Sequence, residues 1–185
     1  TKEILLRGRI GSVKKGHFIG NIAPYGYNKV VIDGAHTLEP NEKAEFVKLI
    51  FELYSNGSTV LQIARHLDDL GVKPMVSDSW EKCSVRRILE NPHYKGYVRF
   101  GYKKSEKVFV DGQMTKKRNI PSDPEEVVIA KGIHEPIIPE EEFDKQVERR
   151  IYAVAGSLEG MVNGFEFAKA VVLYWKAYKE DDSAL

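Results

Sequence analysis

The chain has 185 residues, with 28 Lys and Arg against 27 Asp and Glu, for a formal net charge of +1. That length can bury a proper core without staples; the single cysteine, Cys83, excludes an intramolecular disulfide framework and fits a reducing cytoplasm. No apolar run approaches the ~18–20 residues of a membrane span, no secretory signal is visible, and the near-neutral balance by itself speaks mildly against a DNA binder.

The distribution of charge says more than the total. Residues 1–30 carry Lys2, Arg7, Arg9, Lys14, Lys15 and Lys29 against Glu3 alone. Residues 99–118 carry Arg99, Lys103, Lys104, Lys107, Lys116, Lys117 and Arg118 against Glu106 and Asp111. Residues 123–148 reverse the sign, with acids opposed only by Lys131 and Lys145. Such separation predicts a basic face and an acidic face, and phosphate affinity follows the local potential.

In chain order, residues 1–15 read as a weak helix end interrupted by Gly8 and Gly11, and they are expected to fray if nothing packs on them. Residues 16–34 are rich in Gly, Pro and Tyr, with a short strand at Lys29 to Ile32. A helix from about Asn41 to Tyr54 has Ala44, Val47, Ile50, Phe51 and Tyr54 on one side, and Pro40 favours its first turn.

The most informative stretch runs from Gly57 to Pro92. A first helix over Ser58–Gly71 opens with Thr59 and Gln62, spaced as a capping box. Val60, Ile63, Ala64 and Leu67 then form one apolar stripe, and Gly71 supplies a left-handed terminus. A second helix covers roughly Cys83 to Glu90, with Val85, Ile88 and Leu89 inward and Arg86 and Arg87 elsewhere. Asn91-Pro92 stops it, because proline disfavours helical geometry in the residue before it. A capped support helix, a connection and a second helix with outward arginines form a helix-turn-helix pattern, which sets its second helix in a DNA major groove. Two adjacent amphipathic helices also occur in any helical bundle, and the connection from Val72 to Lys82 exceeds the usual short turn.

Beyond it, Tyr94 to Gly101 alternates as a strand. Val108-Phe109-Val110 with Asp111-Gly112 reads as a strand entering a turn, and Glu126 to Ala130 as another strand. Pro139 to Phe143 starts a helix whose acids suit its N-terminal dipole. Over residues 156–185, Phe165, Ala168, Val171, Val172, Trp175 and Tyr178 could line one helical face. That face would pack on its own domain or serve self-association.

The flanking residues carry a family resemblance. Ile19-Gly20-Asn21-Ile22-Ala23-Pro24-Tyr25-Gly26-Tyr27 resembles the opening of the recombinase domain of large serine recombinases. Ala44–Tyr54, Gly57-Ser58-Thr59, Ile63–Leu67, Gly71-Val72, Trp80, Val85–Pro92 and Tyr94-Lys95-Gly96 continue the likeness in order and spacing. His134–Ile138 with Glu141-Glu142-Phe143 is similar to its end, so the resemblance covers about Gly16 to Arg150. It implies a DNA-binding domain at residues 16–155 that follows a serine-nucleophile catalytic domain. Residues 1–15 would then be the end of the exit helix and its linker. A zinc ribbon, which needs about four Cys or His ligands, has no counterpart here.

No catalytic centre emerges from the residues. Ser58 and Ser84 sit where caps sit and lack an adjacent base. Glu140, Glu141 and Glu142 suit a helix N-terminus better than an acid/base pair, and His134-Glu135 has no partner histidine for a metal. Cys83 opens a short helix, which can lower a thiol pKa, or simply packs. Tyr25 and Tyr27 would either stack on sugar or base, or fill core beside a tight turn; Trp80 reads as a core anchor.

The expectation is therefore an α+β fold, helix-turn-helix-like, with a small antiparallel sheet or wing, no cofactor, and double-stranded DNA as partner. Lys82, Ser84, Arg86 and Arg87 would read base edges, where arginine makes the commonest specific contact, to guanine. Arg7, Arg9, Lys14 and Lys15 would follow the backbone or a narrow minor groove. Lys103, Lys104 and Lys107, at a hairpin tip, would clamp phosphates. The alternatives are a winged-helix transcription regulator and a protein-interaction domain without DNA binding.

Overall fold

A computed structural model describes residues 2–110, 113–121 and 127–157. The backbone forms two units, Thr1–Glu140 and Glu141–Leu185. The second is described through α5 (Glu140–Ser157), whose opening acids complement the helix dipole. The C-terminal face expected around Phe165 to Tyr178 lies outside the described residues.

The first unit opens with α1 (Lys2–Lys14). Ile4, Leu5 and Leu6 on its first turns are exposed, and the helix is anchored near its end by the fully buried Val13. A hairpin follows, β1 (Tyr27–Ile32) paired antiparallel with β2 (Ala35–Pro40) in the register Ile32↔Ala35 to Tyr27↔Pro40. Asp33 and Gly34 between them have φ of 50° and 78°, the left-handed pair a two-residue hairpin turn demands. The strand expected at Lys29–Ile32 is part of β1. Its partner β2 was not expected, although Asp33-Gly34 between apolar residues is a strong short-range hairpin signal.

Pro40 ends β2 rather than opening the next helix. Helix α2 (Ala44–Ser55) begins after Asn41, whose side-chain oxygen accepts from the Lys43 N–H at 2.9 Å. It buries Ala44, Val47, Ile50 and Phe51, with Tyr54 half-buried. Helix α3 (Val60–Asp69) has its N-terminal groups satisfied by the full Thr59–Gln62 capping box. At its other end Gly71, with φ of 70°, lets the Gly71 N–H reach the Asp68 carbonyl (2.9 Å) and the Val72 N–H reach that of Leu67 (3.0 Å). Helix α4 (Lys82–Leu89) starts after Glu81, and Ser84 lies inside it rather than at its cap. Ile63, Ala64 and Leu67 of α3 and Val85, Ile88 and Leu89 of α4 are buried, where both helices pack on each other and on α2.

A 3-10 turn (Pro92–Lys95) replaces the start of the strand expected from Tyr94. The Asn91 side chain caps it, and Gly96 at φ of 90° reverses the chain before β3 (Tyr97–Phe100). Next come β4 (Lys103–Val110), β5 (Gln113–Pro121) and β6 (Val128–Lys131). β4 pairs with β5 as a separate ribbon, and β3 pairs with β6. Helix α1 packs on β3 and β6. There Gly16 has φ of 79°, and a Cβ on it would stand 2.6 Å from the Lys131 carbonyl oxygen, so glycine is required. The α+β expectation of helices with small antiparallel sheets matches what is observed. β5, polar and lysine-rich, was not legible as a strand.

Candidate nucleic-acid interface

The buried stripe of α4 dictates what its other side offers. With Val85, Ile88 and Leu89 in the core, Lys82, Arg86 and Arg87 are exposed and Ser84 is half-buried. Among the described residues neither arginine is in an ion pair, whereas Lys48 is paired with Glu45 and Lys95 with Glu140. Both arginines lie in the last turn of α4, where cations also favour the helix dipole.

The connection between α3 and α4 is long but held. Trp80 donates its backbone N–H to Asp68 Oδ1 and its indole N–H to the Val72 carbonyl, both at 2.8 Å. Its ring meets the edge of Tyr25 at 5.1 Å. Trp80 thus ties the chain leading into α4 to the end of α3, the core-anchor role expected from sequence. Tyr25 and Tyr27 are likewise core: both are buried, Tyr94 donates its hydroxyl to the Tyr25 carbonyl (2.8 Å), and Tyr27 stacks on Tyr94 at 5.8 Å. Stacking of either ring on a nucleotide is set aside. Gly26 between them, at φ of 85°, leaves room for Val47, whose methyl a Cβ would meet at 2.8 Å.

The remaining candidates are not gathered around α4. Arg7, Arg9 and Lys14 lie along α1, which packs on the β3–β6 pair, and Lys15 follows directly; all four are exposed. The hairpin lysines are not at a tip. Lys103 pairs with Pro121 and Lys104 with Ile120 at the open end of the ribbon, and Lys107 pairs with Lys116 midway. Val110 pairs with Gln113 at the other end, because β5 extends the hairpin well beyond the three apolar residues that mark β4 in the sequence; the turn expected at Asp111-Gly112 lies outside the described residues.

Sequence reasoning missed a buried polar layer behind these surfaces. Tyr27 donates its hydroxyl to the carbonyls of His93 (3.2 Å) and Glu135 (3.0 Å) and accepts from the Ile137 N–H (3.1 Å). His134 Nε2 reaches the same His93 carbonyl at 2.8 Å. Burial, helped by Arg99 and His134, pushes the His93 pKa down to about 3, and burial lowers that of His134. Burial also raises the phenols of Tyr25, Tyr27 and Tyr94. These groups are held neutral and inside, which suits a scaffold. Among the described residues no group of three or more His, Cys, Asp or Glu is placed to hold a metal ion. No described helix is long and apolar enough to cross a membrane.

The described residues thus present exposed cations on α4, held on a core of α2, α3 and α4, and a separate exposed set along α1. Comparison with known proteins gives its family. The Recombinase family profile matches residues 41–151, more than half the chain. The chain belongs to that family, the recombinase domain of large serine recombinases. A Bacillus subtilis (strain 168) protein described as a DNA recombinase is 33% identical over 150 residues, which are 77% of this chain and 29% of that protein. A solved large serine recombinase–DNA complex superimposes with a TM-score of 0.53 at 25% identity, covering 82% of this chain and 39% of that one. A structure from work on the Listeria innocua prophage attP site gives a TM-score of 0.54 at 22% identity, covering 85% of this chain and 56% of that one. The chain thus spans well under two thirds of each of these relatives. A second profile, the BREX system ATP-binding protein BrxC/D, matches residues 124–185, a region the structure describes only in part.

Proposed function

We propose that this chain is the duplex-DNA-binding domain of a large serine site-specific recombinase, holding an attachment site while a serine-nucleophile domain exchanges strands. The observation that carries the reading is the arrangement of α4. Its apolar stripe is locked against α3 and α2, while Arg86 and Arg87 are exposed and in no ion pair among the described residues. The likeness to a recombinase–DNA complex supports DNA as the partner. In this reading α3 and α4 act as a helix-turn-helix with an extended connection. Arg86 and Arg87, with Lys82 and Ser84, meet base edges in the major groove. Arg7, Arg9, Lys14 and Lys15 on and after α1 follow the phosphates into the adjacent minor groove. Lys103, Lys104 and Lys107 contact phosphates along the ribbon, and residues 16–155 form the binding domain. The protein works in the cytoplasm.

The test is anisotropy titration of a duplex selected from a random pool by the chain, against a scrambled duplex. Preference for the selected duplex, weakened by Arg86→Ala or Arg87→Ala, is the expected result. Equal binding of both duplexes by parent and variants would refute the recognition role of α4.

A further inference from the structure

The β4–β5 ribbon carries an arrangement that neither the helical site nor the position of its lysines in sequence explains. In an antiparallel pair, directly opposite positions share one face, and positions two apart along a strand return to it. The register sets Phe109 opposite Met114 and Lys107 opposite Lys116, so all four positions fall on a single face. The reverse face pairs Glu106 with Lys117 and Val108 with Thr115, a self-complementary arrangement. Like charges directly opposite destabilise a ribbon. Phe109 and Met114 are 70% and 64% exposed, and among the described residues the ribbon pairs with no other strand. One face therefore sets two lysine positions directly opposite each other, next to the exposed Phe109 and Met114.

We propose that this face is a second DNA-contact element, in which Lys107 and Lys116 take phosphates while Phe109 and Met114 meet the bases of the groove between them. The inference rests on the DNA-binding function proposed above and extends it to Lys116, Phe109 and Met114. Charge decides the occupant. A polyanion relieves the repulsion between opposed lysines, whereas a second copy of the same face would bring two such pairs together. Apolar wedges beside cationic residues are a recurrent way to enter a minor groove and open a base step. Flexible pyrimidine–purine steps deform most readily, so they are the preferred ground for the apolar pair.

The experiment measures binding of the full 185-residue chain to a labelled mixed-sequence duplex across a potassium chloride series. Three variants are compared with the parent: Lys107→Gln with Lys116→Gln, Lys107→Glu alone, and Phe109→Ala with Met114→Ala. The double glutamine variant should shrink the slope of log affinity against log salt by about two units, one per lost phosphate contact. Lys107→Glu places a carboxylate opposite Lys116 and so improves the ribbon's own cross-strand pairing. A purely structural role predicts undiminished binding there, and DNA contact predicts weaker binding. The apolar double variant should lose affinity, most on duplexes rich in TA and CA steps, with the slope unchanged. Parent-like slopes and affinities in all three variants would overturn this inference while leaving the α4 reading intact. A parent dimer that becomes monomeric on Phe109→Ala with Met114→Ala, with DNA affinity unchanged, would identify a second copy as the occupant and overturn it too. A parent that binds no duplex would overturn the DNA-binding function itself.

Discussion

His134 Nε2 lies 2.8 Å from the carbonyl oxygen of His93, and a carbonyl can only accept, so Nε2 carries the proton. Nδ1 of His134 is then the bare nitrogen, and it is buried without a hydrogen-bond partner among the described residues. His93 in turn places Nδ1 2.6 Å from Asn91 Oδ1, which fixes its proton on that side. Burial favours the neutral form of both rings by lowering both pKa values, while the bond to the His93 carbonyl opposes this at His134.

Acid should therefore loosen this fold. The unfolded chain binds protons near the ordinary histidine value of 6.5, and folded His93 binds one only near 3. A depressed folded value means that the histidine contribution is complete above about pH 6.5 and is lost as pH falls towards 3. Each unit of depression corresponds to about 1.4 kcal/mol. Denaturant melts at a series of pH values should show stability dropping through that window. The drop should be shallower by up to one proton in His134→Gln. A parent whose stability is flat across the window would contradict the neutral, buried assignment.

Specificity should reside on α4. Arg86→Ala or Arg87→Ala is expected to weaken binding to a selected duplex by ~1–3 kcal/mol and to relax preference at one base position. Neither side chain contributes to the core, so the thermal transition should stay close to that of the parent, apart from a dipole contribution of ~0.3–1 kcal/mol. Selection of binding sites with each variant reads the relaxed position directly.

Lys14 and Lys15 should act differently. Lys14 ends α1 and Lys15 follows it, both exposed, where the chain turns at Gly16 against β6. Their replacement by alanine should weaken binding to all duplexes alike and reduce the salt slope by about two units. An unchanged slope would show that they remain solvated in the complex.

Much of the helical part was legible in the sequence because its signals are local. Thr59 with Gln62, the stripe Ile63-Ala64-Leu67, Gly71, and Val85 with Ile88-Leu89 each announce their own structure within a turn or two of helix. The outward aspect of Arg86 and Arg87 follows from the last of these. Strands were harder. β5 consists largely of polar and charged residues whose strand state is set by pairing with β4, a partner outside any short window. β2 carried a readable turn in Asp33-Gly34, but its residues Ala35 to Pro40 alternate poorly. The polar layer was invisible, because His93 and His134 meet only once β3 and β6 are paired. The same is true of the position of Lys107: sequence gives the residue, and only the register shows that it faces Lys116.

Lys95 offers the last test. It is buried beside an acid. Nζ lies 3.6 Å from Glu140 Oε1 and 4.9 Å from the centre of the Tyr97 ring, and Tyr97 donates its hydroxyl to the same carboxylate oxygen at 2.9 Å. The side chains of Lys95 and Glu140 are 3% and 41% exposed, so water reaches the carboxylate but barely the ammonium. Removing the acid takes one partner each from a buried cation and a tyrosine hydroxyl, whereas removing the cation leaves a carboxylate that water can solvate. Glu140→Ala should therefore destabilise the fold by about 1.5–3 kcal/mol, the range for hydrogen bonds to charged groups, discounted from a fully buried pair because the carboxylate is partly wet. Lys95→Met, which keeps the volume and drops the charge, should be milder than Glu140→Ala. The double variant should be close to Lys95→Met alone, because the acid has lost the cation it served. Chemical denaturation of all three closes the cycle. Additive losses from the two single changes would mean that the pair is not coupled and that Lys95 is held by its stem and the Tyr97 ring.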